Sequence, residues 1–466
     1  MHHDQLAAHK YNVMNSKQFL MKAFHFSLTV VLFYFVWLIF RYSGSTLTKQ
    51  ADVGVRYNYI ITAGFGALVM IFNRTYRTYL FGYTKIRLLA FTQFVSQTFA
   101  LGLIYIAVSF GWNNWKNPLA FLLLLIVYLL IDIVFSYFGN WYYYRLNPPK
   151  KTLLLYRSNR DKRRFGSISG KPLERLYNVV KEIQFDGTFE EIKSELNAGY
   201  EAVFVAGLNS RCRNGILKHC EEYGIRGFFL PHVGDVIMQG AEHIHAFSSP
   251  VMMAQRKALK PEYRVVKRIL DIIGSLIGLI VSSPFFLLTA LAIKAYDRGP
   301  VFYKQVRLTK DSREFKIIKF RSMRTDAEKD GVARLSSGDN DDRITPIGKI
   351  VRKCRLDELP QLINILKGDM SFVGPRPERP EIAEQYYKTL PDFRLRLQVK
   401  AGLTGYAQVY GQYNTDPYEK LEFDLMYINN MSLLTDLELM YATFVILFSK
   451  ESTEGVEGKT AMDYEE

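Results

Sequence analysis

The run Ile269-Leu-Asp-Ile-Ile-Gly-Ser-Leu-Ile-Gly-Leu-Ile-Val-Ser-Ser-Pro-Phe-Phe-Leu-Leu-Thr-Ala-Leu-Ala-Ile293 is long enough to cross a bilayer, yet Ser282, Ser283 and Pro284 interrupt its centre. A crossing helix needs about 20 apolar residues, and a proline inside it removes one backbone hydrogen bond and kinks the chain. Lys267 and Arg268 precede the run, and Lys294 and Arg298 follow it. Basic residues on both flanks favour two cytoplasmic ends. A kinked full span is the alternative, because membrane helices tolerate proline. The expectation is a re-entrant helix over 268–294 that dips into one leaflet and returns. Ser283 and Pro284 form its hinge, with Ser283 bonding a carbonyl that Pro284 frees.

Four more apolar runs come earlier: Ala23 to Phe40, Tyr57 to Phe72, Leu88 to Phe110 and Pro118 to Phe138. Each is near span length, the second being short. No small-residue cleavage site follows the first, which argues against a removed signal peptide. Lys10, Lys17 and Lys22 precede the first run, Arg74, Arg77, Lys85 and Arg87 fill the second loop, and Arg145, Lys150 and Lys151 follow the fourth. The first loop holds Arg41, Lys49 and Arg56, and the third only Lys116. This bias puts both ends of a four-span unit, residues 1–148, in the cytoplasm. Asp132 within the fourth run is either functional or a hydrated or paired carboxylate near the cytoplasmic end.

The 466 residues carry 60 Lys and Arg against 45 Asp and Glu, a net charge of +15. Such an excess suits nucleic acid, an anionic membrane or a phosphorylated substrate. No nucleic-acid-binding signature is present, so membrane and phosphate are favoured. Cys212, Cys220 and Cys354 form no zinc spacing and no even disulfide set.

Residues 149–255 change character. Thr152–Tyr156, Tyr177–Phe185, Tyr200–Ala206 and Ile225–Leu230 read as strands, with Thr188–Asn197 and Ser210–Tyr223 as helices between them. The alternation predicts a small parallel, Rossmann-like α/β domain. Its first strand runs into Arg157, Ser158, Asn159, Arg160 and Asp161, without the glycine-rich turn that lets a backbone approach a pyrophosphate. A regulatory or homodimer-supporting module is expected, not a nucleotide site.

Arg352-Lys-Cys-Arg-Leu-Asp-Glu-Leu-Pro-Gln-Leu362 is the most chemical stretch. Pro360 suits the first turn of a helix that runs through Leu362, Ile363, Ile365 and Leu366 and stops at Gly368. Asp357 and Glu358 then lie at a helix start behind three cations, where free N–H groups favour anions. An ordinary N-cap role for Asp357 is the plain alternative. Lys316, Lys319, Phe320, Arg321 and Arg324 interleave cations with apolar residues, and Gly374-Pro375-Arg376-Pro377 is a rigid turn presenting one guanidinium.

In order along 263–456 stand Ser283-Pro284, Lys319-Phe-Arg-Ser-Met323, Leu356-Asp-Glu-Leu-Pro-Gln361, Lys367-Gly-Asp-Met-Ser371, Gly374-Pro-Arg-Pro-Glu378 and Ala401-Gly-Leu-Thr-Gly405. This series resembles the bacterial polyprenyl-phosphate hexose-1-phosphate transferases. These are monotopic phosphoglycosyl transferases that initiate capsule, exopolysaccharide or O-antigen synthesis. Ala401 stands where proline is usual and Tyr406 where tryptophan is usual. Four spans and a middle α/β domain resemble the family's large members.

The resemblance implies a mainly helical catalytic domain over 262–456, followed by an acidic tail, 457–466. It implies that Asp357 attacks the sugar-bearing phosphorus of a UDP-hexose and that Glu358 helps hold Mg²⁺. Arg352 and Arg376 bind phosphate, with Lys319 and Arg321 in support, and Pro375 and Pro377 stiffen the turn. Undecaprenyl phosphate is the acceptor, at the cytoplasmic face of the bacterial inner membrane. A glycosyltransferase releasing UDP, a non-catalytic polysaccharide-assembly scaffold and a polytopic transferase with intramembrane acids are the competing classes.

Overall fold

The computed structural model describes residues 2–42, 55–75, 78–84, 86–113, 115, 117–168, 174–244, 249–256, 259–325, 327, 341, 343–411 and 416–447. The tail 457–466 lies outside them. The chain forms two compact units, Met1–Leu230 and Pro231–Glu466.

The first unit begins with α1 (His2–Tyr42), α2 (Val55–Thr75), α3 (Ile86–Gly111) and α4 (Leu119–Leu146). α1 packs on α2 and α4, and α3 packs on the same two helices. Phe33, Trp37, Phe40, Phe65, Phe121 and Tyr128 fill the interior, while Phe35, Ile39, Ile60, Phe99, Leu122 and Leu130 are exposed. Helices that are apolar on both sides suit a lipid surround. By length and apolarity Lys17–Arg41, α3 and α4 could each cross a membrane. The second expected span, α2, forms over 21 residues but falls outside that set. It is diluted by polar groups such as Asn58, which accepts hydrogen bonds from Trp37 Nε1 at 3.0 Å and from Arg41.

The α/β part follows as β1 (Lys150–Tyr156), α5 (Asn159–Ile168), β2 (Tyr177–Gln184), α6 (Phe189–Leu196), β3 (Ala202–Ala206), α7 (Ser210–Tyr223) and β4 (Arg226–Phe229). All strand pairs are parallel in the order β2-β1-β3-β4. Leu153, Leu155, Val203 and Val205 face α6 and α7, and Leu154 and Phe204 pack with Phe165 of α5 on the other side. The turn after β1 is filled by a carboxylate. Asp161 Oδ2 accepts from the Ser158 N–H at 3.1 Å and from the Ser158 hydroxyl at 2.7 Å. Gly207, at φ +71°, leaves room for it, since a Cβ there would lie 2.2 Å from Asp161. An anion thus sits at the α5 start, where a pyrophosphate would need open N–H groups.

The second unit contains α8 (Val233–Gln239), β5 (Glu242–Ile244), β6 (Val251–Met253), α9 (Pro261–Asp297), β7 (Phe302–Leu308), β8 (Glu314–Phe320), α10 (Pro346–Lys353), α11 (Gln361–Lys367), β9 (Ser371–Val373), α12 (Pro380–Thr389), β10 (Gly402–Thr404), α13 (Tyr406–Val409), α14 (Pro417–Asn429) and α15 (Leu433–Leu447). The sequence groups residues 231–255 with the α/β domain. In the structure Val233 and Val236 are buried with Leu421 and Leu425 of α14, so α8 belongs to the core of the second unit.

α9 is one continuous helix that leaves Ile280, Val281, Phe285, Leu287 and Leu288 exposed around Pro284. Ser283 Oγ donates to the Ile280 carbonyl at 2.8 Å, the acceptor that Pro284 deprives of its N–H partner. The first turns of α9 are tied down. Lys267 Nζ reaches Asp436 at 2.6 Å and the Val373 carbonyl at 3.1 Å. Arg268 donates to the Ile365 and Leu366 carbonyls at 2.7 Å each, the position that a cation favours at the end of a helix. Buried Asp271 accepts from the Phe372 N–H at 3.0 Å and the Ser371 hydroxyl at 3.1 Å.

Candidate active site

The β7–β8 hairpin and α11 build the floor. Phe315 and Ile317 of β8 pack on Leu362 and Ile365 of α11. Asn364 locks the two elements together, accepting from the Ile318 N–H at 3.0 Å and donating to the Lys316 carbonyl at 2.9 Å. Lys319, near the end of β8, is thereby held beside the segment that enters α11.

In that segment Arg355 takes a left-handed conformation, φ 55°, and Leu356–Glu358 forms a short 3₁₀ turn. Leu359 and Pro360 continue it into α11, which ends at left-handed Gly368. The predicted stop is therefore present. Asp357 and Glu358 occupy the 3₁₀ turn ahead of the helix, and Asp357 makes no capping hydrogen bond.

The two neighbouring carboxylates differ. Glu358 Oε1 accepts from Arg376 at 3.0 Å and lies 3.5 Å from Lys319 Nζ. Burial pushes its carboxyl up, but Arg376, Lys319 and Arg355 outweigh burial and hold it well below the usual carboxylate range. Among the described residues Asp357 accepts no hydrogen bond. Burial, then the Glu358 charge, push its carboxyl up, against Lys319, Arg352 and Arg355. Burial also pulls the Lys319 ammonium down.

Arg376 is held by its turn. Gly374 N–H donates to the Thr404 carbonyl at 2.8 Å and Gly402 N–H to that of Pro375 at 2.9 Å, extending the parallel β9–β10 pair. Glycine is required at this crossing, since a Cβ on Gly402 would lie 2.1 Å from Gly374 N. The Arg376 carbonyl accepts from Arg396 at 2.9 Å, and Arg396 is anchored on Asp424 at 2.7 Å. Ala401, the departure from proline, donates its N–H to Thr309 Oγ1 at 3.1 Å, a bond that proline cannot make.

Thus the structure brings together Asp357, Glu358, Lys319, Arg352 and Arg376, with Arg352 acting through its charge on Asp357. It takes Arg321 elsewhere: that guanidinium is buried and paired through both ends with Asp297 at the close of α9. Sequence reasoning assigned Arg355 no role beyond being one of the three cations ahead of the acids, and it did not point to Arg307. Arg307 donates to the Pro377 carbonyl at 3.1 Å and to Gln305 at 2.6 Å, and burial pulls it down to about 10. A cation preceding an apolar strand residue carried no local signal of that role.

Cations outnumber carboxylates here, which suits a polyphosphate ligand. Among the described residues no three His, Cys, Asp or Glu side chains cluster for a metal. Two adjacent carboxylates nevertheless fit Mg²⁺, which takes one or two protein oxygens and completes its shell with phosphate and water.

Residues 262–450 match the bacterial sugar transferase family. The chain is 35% identical over 264 residues to the UDP-N-acetylgalactosamine-undecaprenyl-phosphate N-acetylgalactosaminephosphotransferase of Aeromonas hydrophila, covering 56% of this chain and 58% of that one. It is 40% identical over 199 residues to the UDP-glucose:undecaprenyl-phosphate glucose-1-phosphate transferase of Escherichia coli K12, covering 42% of each. The match thus spans about half the length of these two relatives. The exopolysaccharide production protein PSS of Rhizobium leguminosarum is 42% identical over 190 residues, 39% of this chain but 94% of that one. With 94% of that relative covered at 42% identity, this chain belongs to the bacterial sugar transferase family.

Proposed function

We propose that the protein transfers a hexose-1-phosphate from a UDP-hexose to undecaprenyl phosphate, releasing UMP, as the first membrane step of capsule, exopolysaccharide or O-antigen synthesis. The observation that carries this reading is the division of labour between the two carboxylates. Glu358 accepts from Arg376 and Lys319 on its Oε1, whereas Asp357 accepts no hydrogen bond among the described residues. Adjacent groups whose environments drive their acidities apart commonly hold different roles.

Asp357 is the nucleophile. One carboxylate oxygen attacks the sugar-bearing phosphorus, the bond to the bridging oxygen breaks, and UMP leaves with that electron pair. The phosphosugar then sits on Asp357 as an acyl phosphate. An oxygen of undecaprenyl phosphate attacks the same phosphorus and restores the carboxylate. Covalent catalysis divides one difficult exchange into two easier ones. Arg352, Arg376 and Lys319 orient phosphate oxygens, and Arg307 supports the turn that carries Arg376. Glu358 and the phosphates would hold Mg²⁺, whose charge offsets that of the polyphosphate. The names of the Aeromonas and Escherichia relatives support the donor and acceptor classes.

The experiment is direct. Wild-type protein given UDP-sugar and Mg²⁺ without lipid acceptor should release UMP and retain phosphosugar on Asp357. Release of UDP would favour a glycosyltransferase and end this reading.

The same proposal sets the site at the cytoplasmic face of the inner membrane, with α9 re-entrant. Its support is the Ser283–Ile280 bond at the proline, the apolar surface around it and the basic residues at both ends. Single cysteines placed near Lys260 and near Arg298 should label from one side of the membrane; labelling from opposite sides would make α9 a span.

A further inference from the structure

The centre of the membrane bundle is polar. Asp132 of α4 is fully buried. Its Oδ1 lies 2.9 Å from His25 Nε2 of α1 and accepts from Gln97 Nε2 of α3 at 3.0 Å. His25 Nδ1 lies 2.9 Å from the Tyr79 hydroxyl, and the imidazole stacks on Phe135 at 4.1 Å. Around this core Tyr128 donates to the Thr29 carbonyl at 2.7 Å, Ser136 to Gln93 at 3.2 Å, and Asn73 of α2 to the Tyr79 hydroxyl at 3.3 Å. The titratable groups facing Asp132 are therefore His25, Tyr79 and Tyr128; α3 presents only amides and hydroxyls.

Among the described residues three buried acceptors of this core lack partners: Asn73 Oδ1 and, on two side chains in direct contact, Asp132 Oδ2 and Gln97 Oε1. A proton on Asp132 Oδ2 would supply the donor that both acceptors of the contacting pair lack. With the Gln97 Nε2–H bond, it would close the two-bond ring that a carboxylic acid and an amide form. His25 is then neutral, giving its Nε2–H to Asp132 and accepting from the Tyr79 hydroxyl at Nδ1.

We infer that the bundle centre is a proton-holding site in which Asp132 is protonated and ring-paired with Gln97, not the anionic half of an ion pair with His25. A neutral acid avoids the cost of an ionised pair in hydrocarbon. Removing the proton would set two acceptors against each other, so the contact between α3 and α4 depends on the protonation of one side chain.

The test uses the full chain in lipid nanodiscs at neutral pH. Infrared spectra should show a protonated-carboxyl C=O band in the wild type that is absent from Asp132→Asn. Asparagine copies the protonated acid, its N–H replacing the O–H, so this variant should melt within about 2 °C of the wild type. An ionised pair predicts the contrary. Asp132→Asn would then strand a buried imidazolium and lower the melting temperature by roughly 10 °C. That drop, a wild type without the band, or a band that persists in the variant overturns the inference.

Discussion

Asp357→Asn is expected to lower turnover by at least about 10³-fold while expression and thermal stability stay at wild-type values. The carboxylate makes no capping bond in the 3₁₀ turn, so an amide of the same shape removes nothing that holds the segment. It does remove the attacking oxygen, because a carboxamide is a poor nucleophile. A purely structural Asp357 predicts something different: asparagine serves such turns about as well, and even complete loss of a cap costs only about 0.5–2 kcal/mol. Initial rates with UDP-sugar and lipid acceptor, set beside a melting curve, separate the two. Near-normal turnover in the variant would remove Asp357 from the reaction.

The second large effect is expected at Glu358. Its carboxylate is the anion common to Arg376 and Lys319, and Glu358→Gln leaves both cations without it. Charge-assisted hydrogen bonds are roughly twice as strong as neutral ones, so Arg376 and Lys319 lose a fixed position as well as a partner. If Glu358 also holds Mg²⁺, the variant should need a higher Mg²⁺ concentration for half-maximal rate. Turnover is expected to fall by about 10²–10³-fold, with partial recovery at high Mg²⁺. A reduced rate with an unchanged Mg²⁺ requirement would assign Glu358 to positioning alone.

Much of the local architecture was legible because it rests on short-range patterns. The parallel α/β strands follow from alternating runs of the right length, and the end of α11 from Gly368 in the left-handed region. The Ser283 bond to Ile280 follows from where a proline must leave a carbonyl without its donor. Asp357 and Glu358 stood out because three cations within five residues precede them at a helix entry, a setting that suits phosphate. The expectation put them at the N-terminus of the helix that Pro360 opens; the structure adds that Arg355 in the left-handed region makes their segment a separate 3₁₀ turn.

What the sequence by itself determined, then, was the long apolar helices, the order of the α/β elements and the acidic pair, each encoded within a few neighbouring residues. The tertiary structure alone decided which cations face that pair. Arg321 and Lys319 are two residues apart, yet one is spent on Asp297 and the other on Glu358. It likewise decided that Lys267 and Arg268 are tethers, that Arg307 steadies the turn of Arg376, and that Asp132 meets His25 across 107 positions. A charged side chain has no periodicity that names its partner; pairing depends on which long-range contacts bring an opposite charge within reach and exclude water around it.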